Sequence, residues 1–231
     1  MILLKFFLAH IIGDFFLQPA AWIKDKEEKT WRSGSLFLHV LIHFGLLILI
    51  FWDLSIWQAA LFIALSHYII DAVKLSKQTE TSRAFWFYTD QLLHLLILAG
   101  VWFYLENGIV IPELTNEFWI LTTGLLFLTF PVSYTIQQIM SKWSGQIELD
   151  KNDSLQGAGQ YIGILERLFI FISVLTGHLQ TIGFLLAAKS VFRFGDLTRS
   201  KDRKLTEYIL VGTLLSFIVA IAVGMLTLHF F

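Results

Sequence analysis

Apolar residues arrive in long runs along this chain, broken by short polar stretches. Eight runs come near the ~20 residues that a helical bilayer crossing needs: 2–18, 36–52, 56–73, 85–105, 118–137, 157–176, 179–194 and 205–230. Polar residues inside the first four runs recur four positions apart, the spacing of one helix face, and not in the strict alternation of a membrane barrel. The pattern predicts an all-α integral membrane protein with about eight transmembrane helices in one bundle.

The polar stretches orient the runs. The first loop carries Lys24, Lys26, Lys29 and Arg32. The third carries Lys77 and Arg83, with Lys74 at its edge. The fifth carries Lys142 and Lys151, and the seventh carries Arg199, Lys201, Arg203 and Lys204. The second, fourth and sixth loops have no Lys or Arg. The positive-inside rule then puts both termini outside and the odd loops in the cytoplasm. Pro19 ends the first run, and Pro131 predicts a kink in the fifth. The stretch 20–35, with Trp22 and Trp31 among dense charge, reads either as an interfacial segment at headgroup level or as a plain solvated loop. The organisation expected is a four-helix half over 1–106, a connecting span and cytoplasmic loop over 107–156, and a three-helix half over 157–231.

Composition agrees with this picture. Of 231 residues, 56% are hydrophobic and 15% charged, against about 25% charged in soluble domains; the mean hydropathy is +0.67. A net charge of −1 argues against a nucleic-acid partner. With no cysteine there is neither a disulfide nor a thiolate metal site. A cleaved signal peptide is not expected, because His10 and Asp14 interrupt the first apolar run and no small-residue cleavage site follows.

The chemistry lies in four pairs: His10 with Asp14, His39 with His43, His67 with Asp71, and Asp90 with His94. Each pair is spaced i, i+4, so each helix offers two groups on one face. With each span oriented, His10, His43, His67 and His94 lie roughly 10–14 Å from the cytoplasmic end of their helices, and Asp14, His39, Asp71 and Asp90 roughly 5–8 Å from it. All four pairs fall in one slab. A single polar pair in a span is often hydrogen-bond glue between helices. Five of the seven histidines lie in these pairs, which favours metal or proton chemistry over glue. Imidazole and carboxylate suit a divalent transition metal, zinc first and iron or manganese next. Eight groups exceed one four-coordinate ion, so either one or two ions are expected, with leftover groups orienting the ligands.

The ordered set His10-x-x-Gly13-Asp14-Phe15-x-Leu17-Gln18, His39-x-x-x-His43, His67-x-x-x-Asp71-x-x-Lys74 and Asp90-Gln91-x-x-His94 resembles a bacterial membrane family catalogued as a domain of unknown function, number 3307. Gly163-Ile164-Leu165-Glu166-Arg167, Ala188-Lys189-Ser190 with Arg193-Phe194, and Glu207-Tyr208 before Gly212-Thr213-Leu214 also look like full-length members. The resemblance implies a multi-pass protein of the bacterial inner membrane and brings no activity. A looser likeness, resting on His/Asp pairs in short spans, is to bacterial inner-membrane proteins described as metal-dependent hydrolases.

The second half offers different groups. Gly157, Gly159 and Gly163 permit either close helix approach or backbone access to a ligand. Glu166 and Arg167 lie deep in their span and point about 100° apart. Lys74, Arg167, Lys189 and Arg193 together would form a cation cluster able to hold phosphate or carboxylate, although Lys189 and Arg193 also fit snorkelling at the interface. Gln18 and Gln91 would orient ligands, bond substrate or pack. The reading that follows is an intramembrane metal-dependent hydrolase of a lipid-linked or amphiphilic ester or phosphoester, with Glu166 as general acid/base and membrane lipid as partner. A divalent-cation or proton-coupled transporter and a di-iron redox enzyme are the alternatives.

Overall fold

Buried positions along the apolar runs follow helical spacing. The first helix, α1 (Ile2–Ile11), buries Phe6, Ala9 and His10 and continues as one wider π turn over Ile12–Phe16. Pro19, with φ −62° and ψ 150°, ends that segment and starts α2 (Ala20–Lys29), and the axis bends by 88° between Ile2–Phe16 and Ala20–Arg32. The interfacial stretch is therefore a helix laid across the end of the bundle. α3 (Gly34–Phe51) starts at Ser33, whose Oγ accepts from the Leu36 N–H at 3.1 Å, a normal N-cap. It buries Leu36, His39, Val40, His43, Leu47 and Phe51. α4 (Trp57–Lys77) buries Ala60, Ile63, Ala64, His67 and Asp71 and exposes Leu61, Phe62, Leu65 and Ile69. α5 (Arg83–Leu105) buries Phe87, Asp90, His94, Leu98 and Val101. Ligand-type residues and apolar residues thus share one inward stripe on each helix.

The computed structural model describes residues 1–105, 116–145, 157–194 and 200–230, with backbone alone for 192–194 and 200–203. Among these residues there are helices and no strands. The remaining helices are α6 (Asn116–Phe127), α7 (Phe130–Ser144), α8 (Ala158–Leu175), α9 (Gln180–Phe194) and α10 (Ser200–His229). Two compact units form, Met1–Trp119 and Ile120–Phe231. Nearly all of the fifth apolar run, 118–137, lies in the second unit.

In the first unit α3 packs on α4, α4 on α5, and α1 on both α3 and α5. Phe6, Ala9, Leu47, Phe51, Ile56, Ala60, Ile63, Leu98 and Val101 fill one end as an apolar plug. Alanines at 9, 60 and 64 let the helices approach closely. In the second unit α10 packs on α8 and α7, and α9 on α8, around Leu128, Val132, Ile170, Phe171, Val174, Phe217 and Ala220. A Cβ on Gly224 would lie 2.9 Å from Val174 Cβ, so α8 and α10 meet at a distance only glycine allows.

Among the described residues six helical segments are long and apolar enough to cross a membrane, against the eight expected: Gly34–Phe51, Leu54–Lys77, Glu80–Leu105, Asn116–Ser144, Ala158–Leu175 and Lys204–His229. The shortfall is in the first and seventh runs. Ile2–Phe16 ends early because Pro19 turns the chain, and α9 has 15 residues. The fifth run breaks into α6 and α7 at Leu128 and Thr129, just before Pro131. Between 28% and 33% of each apolar window is buried inside the protein, so the outward faces are apolar and large, an arrangement that water does not favour.

Candidate metal centre

The four inward stripes meet. Asp14, on the π turn, is the centre. Its Oδ1 lies 3.0 Å from His43 Nε2, 3.3 Å from His39 Nε2 and 3.4 Å from His67 Nε2. His39 Nε2 and His67 Nε2 are 3.1 Å apart. His10 Nε2 is 3.7 Å from Asp14 Oδ2. The His67 ring stacks on His94 at 3.9 Å between centroids, and the His10 and His94 rings are 5.0 Å apart. All eight residues of the four pairs therefore come together, and all five histidines are buried.

The backbone is shaped for this. A π turn adds a residue to the helical turn and re-aims the side chain it carries; such turns gather at functional sites. Gly13 lies in it, and a Cβ there would sit 2.4 Å from His43 Cε1 and Nε2. The missing side chain is what lets the His43 ring reach Asp14.

Two of the three carboxylates are neutralised by lysine. Lys26 Nζ donates to Asp71 Oδ2 at 2.8 Å, and both side chains are buried. Lys74 Nζ donates to Asp90 Oδ2 at 2.8 Å. Gln91 Nε2 donates to Asp14 Oδ2 and to Asp90 Oδ2, each at 3.2 Å, and His10 Nε2 lies 3.3 Å from Gln91 Oε1. Asp14 has no lysine among these contacts. One negative charge is left over in the cluster, and it is the one ringed by imidazoles. A cation there satisfies the electrostatics.

Hydrogen bonding alone does not satisfy the set. One carboxylate oxygen faces three ring nitrogens, while the buried His39 Nδ1, Asp90 Oδ1, His94 Nδ1 and His94 Nε2 have no hydrogen-bond partner among the described residues. Buried polar atoms are normally paired, so such orphans need a reason. Three groups of donor atoms lie within ligating distance of one another: His10, Asp14, His43 and His67; His39, His67 and Asp71; and Asp14, Asp90 and His94. The residues present fit a bound divalent metal.

Of the other expected site residues, Gln91 and Lys74 join the cluster. Lys74, expected in the cation cluster, is bound to Asp90. Gln18 sits in the corner before Pro19 and joins none of the cluster's hydrogen bonds among the described residues. Glu166, Arg167 and Lys189 belong to the second unit. Lys189 Nζ donates to Glu166 Oε2 at 2.8 Å. Arg167 is buried and donates to the Leu128 carbonyl at 2.5 Å, the Thr129 carbonyl at 3.1 Å, Ser216 Oγ at 3.1 Å and Ser133 Oγ. It holds the carbonyls freed by the α6–α7 break, so its depth reflects a structural task. The Arg193 side chain lies outside the described residues.

Lys26 and Gly13 were not expected as site residues. A signal for Lys26 existed: in a helix starting at Ala20, Trp22, Ile23 and Lys26 lie on one face. Outside the cluster, Asp25 accepts from Lys29 Nζ at 2.5 Å, Ser33 Oγ at 2.5 Å and the Ser35 N–H at 3.4 Å. The Lys29 ammonium and these donors hold its carboxyl well below the usual carboxylate range, and so pin α2 to the start of α3.

A helical unit with an inward ring of histidine and aspartate defines a class of protein with a candidate metal centre in an apolar bundle. The family described as protein of unknown function (DUF3307) matches residues 2–122, and the chain belongs to it. The match takes in all eight cluster residues and ends three residues beyond the first unit; the second-half motifs lie outside it. No curated protein and no solved structure matches the chain.

Proposed function

We propose that the protein is a multi-pass membrane enzyme that uses a divalent transition metal, zinc first among them, to hydrolyse a lipid-linked or amphiphilic ester. Asp14, His10, His43 and His67 hold the metal, with His39 beside them. The observation that carries the reading is that His10, Asp14, His43 and His67 each offer a donor atom within 4.8 Å of the other three, with Asp14 Oδ1 3.0 Å from His43 Nε2 and 3.4 Å from His67 Nε2. Metal–ligand bonds of ~2.0–2.1 Å in a tetrahedron require donor atoms about 3.3 Å apart. Such a metal brings the pKa of a bound water to about 7 and polarises a substrate oxygen. A cavity with room for about one water adjoins the histidines, bounded by His10, His43, His67 and His94 on one side and by Phe6, Leu47, Ile63 and Leu98 on the other.

The loop charges support a bacterial inner-membrane protein with both termini outside and with α1 and α9 as short crossings, which bilayer thinning accommodates. Cation transport is the weaker reading. Lys5 is buried against the plug, its Nζ 5.5 Å from the Phe51 ring centroid and 5.0 Å from that of Trp119. A fixed positive charge beyond the His ring opposes cation passage.

Elemental analysis of the protein purified in mild detergent tests the proposal. At least one equivalent of transition metal per chain is expected, falling to background in Asp14→Asn. Chelator-sensitive release of product from a chromogenic ester should accompany it. A wild-type preparation without transition metal overturns the reading.

A further inference from the structure

We infer that the cluster holds a second divalent cation, bound by Asp90, His94 and Asp14, with the Asp14 carboxylate shared between two ions, and that the substrate is therefore a phosphoester. This rests on the proposed metal centre and extends it.

The donor atoms are in place, and those of Asp90 and His94 carry no hydrogen bond among the described residues, Asp90 Oδ1 and His94 Nδ1 lying 3.7 Å apart. Asp14, Asp90 and His94 each offer a ligand atom, and the three lie within 4.8 Å of one another. Asp90 Oδ2 already accepts from Lys74 and Gln91, but Asp90 Oδ1 accepts from nothing among the described residues. His94 is buried, and neither of its ring nitrogens has a hydrogen-bond partner there. An imidazole with both nitrogens buried and unbonded forfeits its polar contacts on two sides. Coordination at one nitrogen removes the larger part of that loss.

Asp14 is suited to bridging. Its Oδ1 faces His39, His43 and His67, while its Oδ2 faces His10 and Gln91. The Gln91 amide ties Asp14 Oδ2 to Asp90 Oδ2, which fixes the two carboxylates relative to each other. Lys26 and Lys74 balance Asp71 and Asp90, so with two divalent ions the cluster is strongly positive in an apolar bundle and attracts an anion. Paired metals about 3.5–4 Å apart stabilise both the attacking and the leaving oxygen in displacement at phosphorus. In that reaction a water oxygen bonds to phosphorus as the ester P–O bond breaks. One water proton ends on the leaving alcohol oxygen, and the other stays with the released phosphate.

Metal stoichiometry and magnetic coupling of the purified full chain test this together. Wild type is expected to carry two equivalents. His94→Ala and Asp90→Asn should each retain one, and Asp14→Asn neither. Loaded with Mn(II), wild type should give the electron paramagnetic resonance signal of a coupled pair, and His94→Ala that of isolated Mn(II). Inorganic phosphate should perturb the coupled signal. One equivalent in wild type, or only uncoupled Mn(II), overturns the second site while leaving the first; an unperturbed signal at millimolar phosphate overturns the phosphoester assignment. No transition metal at all removes the metal centre itself. The wild-type measurements stand even where a variant fails to fold.

Discussion

Asp14 and Arg167 are both charged side chains inside helical units, and they meet different surroundings. Arg167 spends its donors on two backbone carbonyls and two hydroxyls, all within the second unit. Asp14 sits among side chains from three other helices, with more ring nitrogens around one oxygen than it can bond and orphaned donor atoms nearby. The contrast shows how to tell a clamp from a site. A clamp closes its hydrogen-bond accounts. A candidate site leaves buried polar atoms without partners.

The comparison breaks most visibly at Lys26. Lys26→Met leaves Asp71 buried without its partner and should destabilise the first unit by about 3–5 kcal/mol, read as a lower midpoint of thermal unfolding in detergent. Adding Asp71→Asn should recover most of the loss. If Lys26→Met alone is neutral, the pair is not holding α2 down. Arg167→Ala comes next. It strands the Leu128 and Thr129 carbonyls, at roughly 1–3 kcal/mol each, and should leave the metal content untouched. A fall in bound metal with the midpoint unchanged would make Arg167 part of the site after all.

Gly13→Ala tests the π turn. The added methyl drives into the buried His43 ring, and metal affinity should fall by about 10–100-fold, as for lost support of a ligand, in a chain that still folds. Competition with a chelator of known affinity measures it. The smallest effect is in acid. Asp25 has a folded pKa below its unfolded value of about 3.9. Its contribution is thus present above about pH 4 and lost as pH falls further through the folded value. Protease cutting in α2 should rise over that window in wild type, and Asp25→Ala should be cut readily at neutral pH as well.

Much of the candidate site was legible because the spacing rule and the depth estimate need only helix geometry. His67 and Asp71, four residues apart on one apolar run, must share a face, and loop charges oriented that face. What spacing cannot carry is competition. Lys74 was within reach of an incoming anion or of Asp90, and only three-dimensional proximity decided for Asp90. Arg167 showed its depth in the sequence but not its partners, because the carbonyls it holds are freed by a helix break 39 residues away. The fold was readable to the level of helices. The sequence did not show where two runs stop: Pro19 ends the first early, and α9 has 15 residues, fewer than composition alone suggests.

The π turn has one more consequence, for how this chain can vary. A π turn is an α-helix with one residue inserted, and a deletion there returns it to α and re-aims the side chains carried by the turn. His10 and Asp14 straddle its start. Loss of a single residue between them would tighten the pair from i, i+4 to i, i+3 and remove the wider turn that carries Asp14. Along this segment the spacing is therefore as constrained as the residue types, and insertions or deletions between positions 10 and 14 should be tolerated less than substitutions at the exposed Leu17.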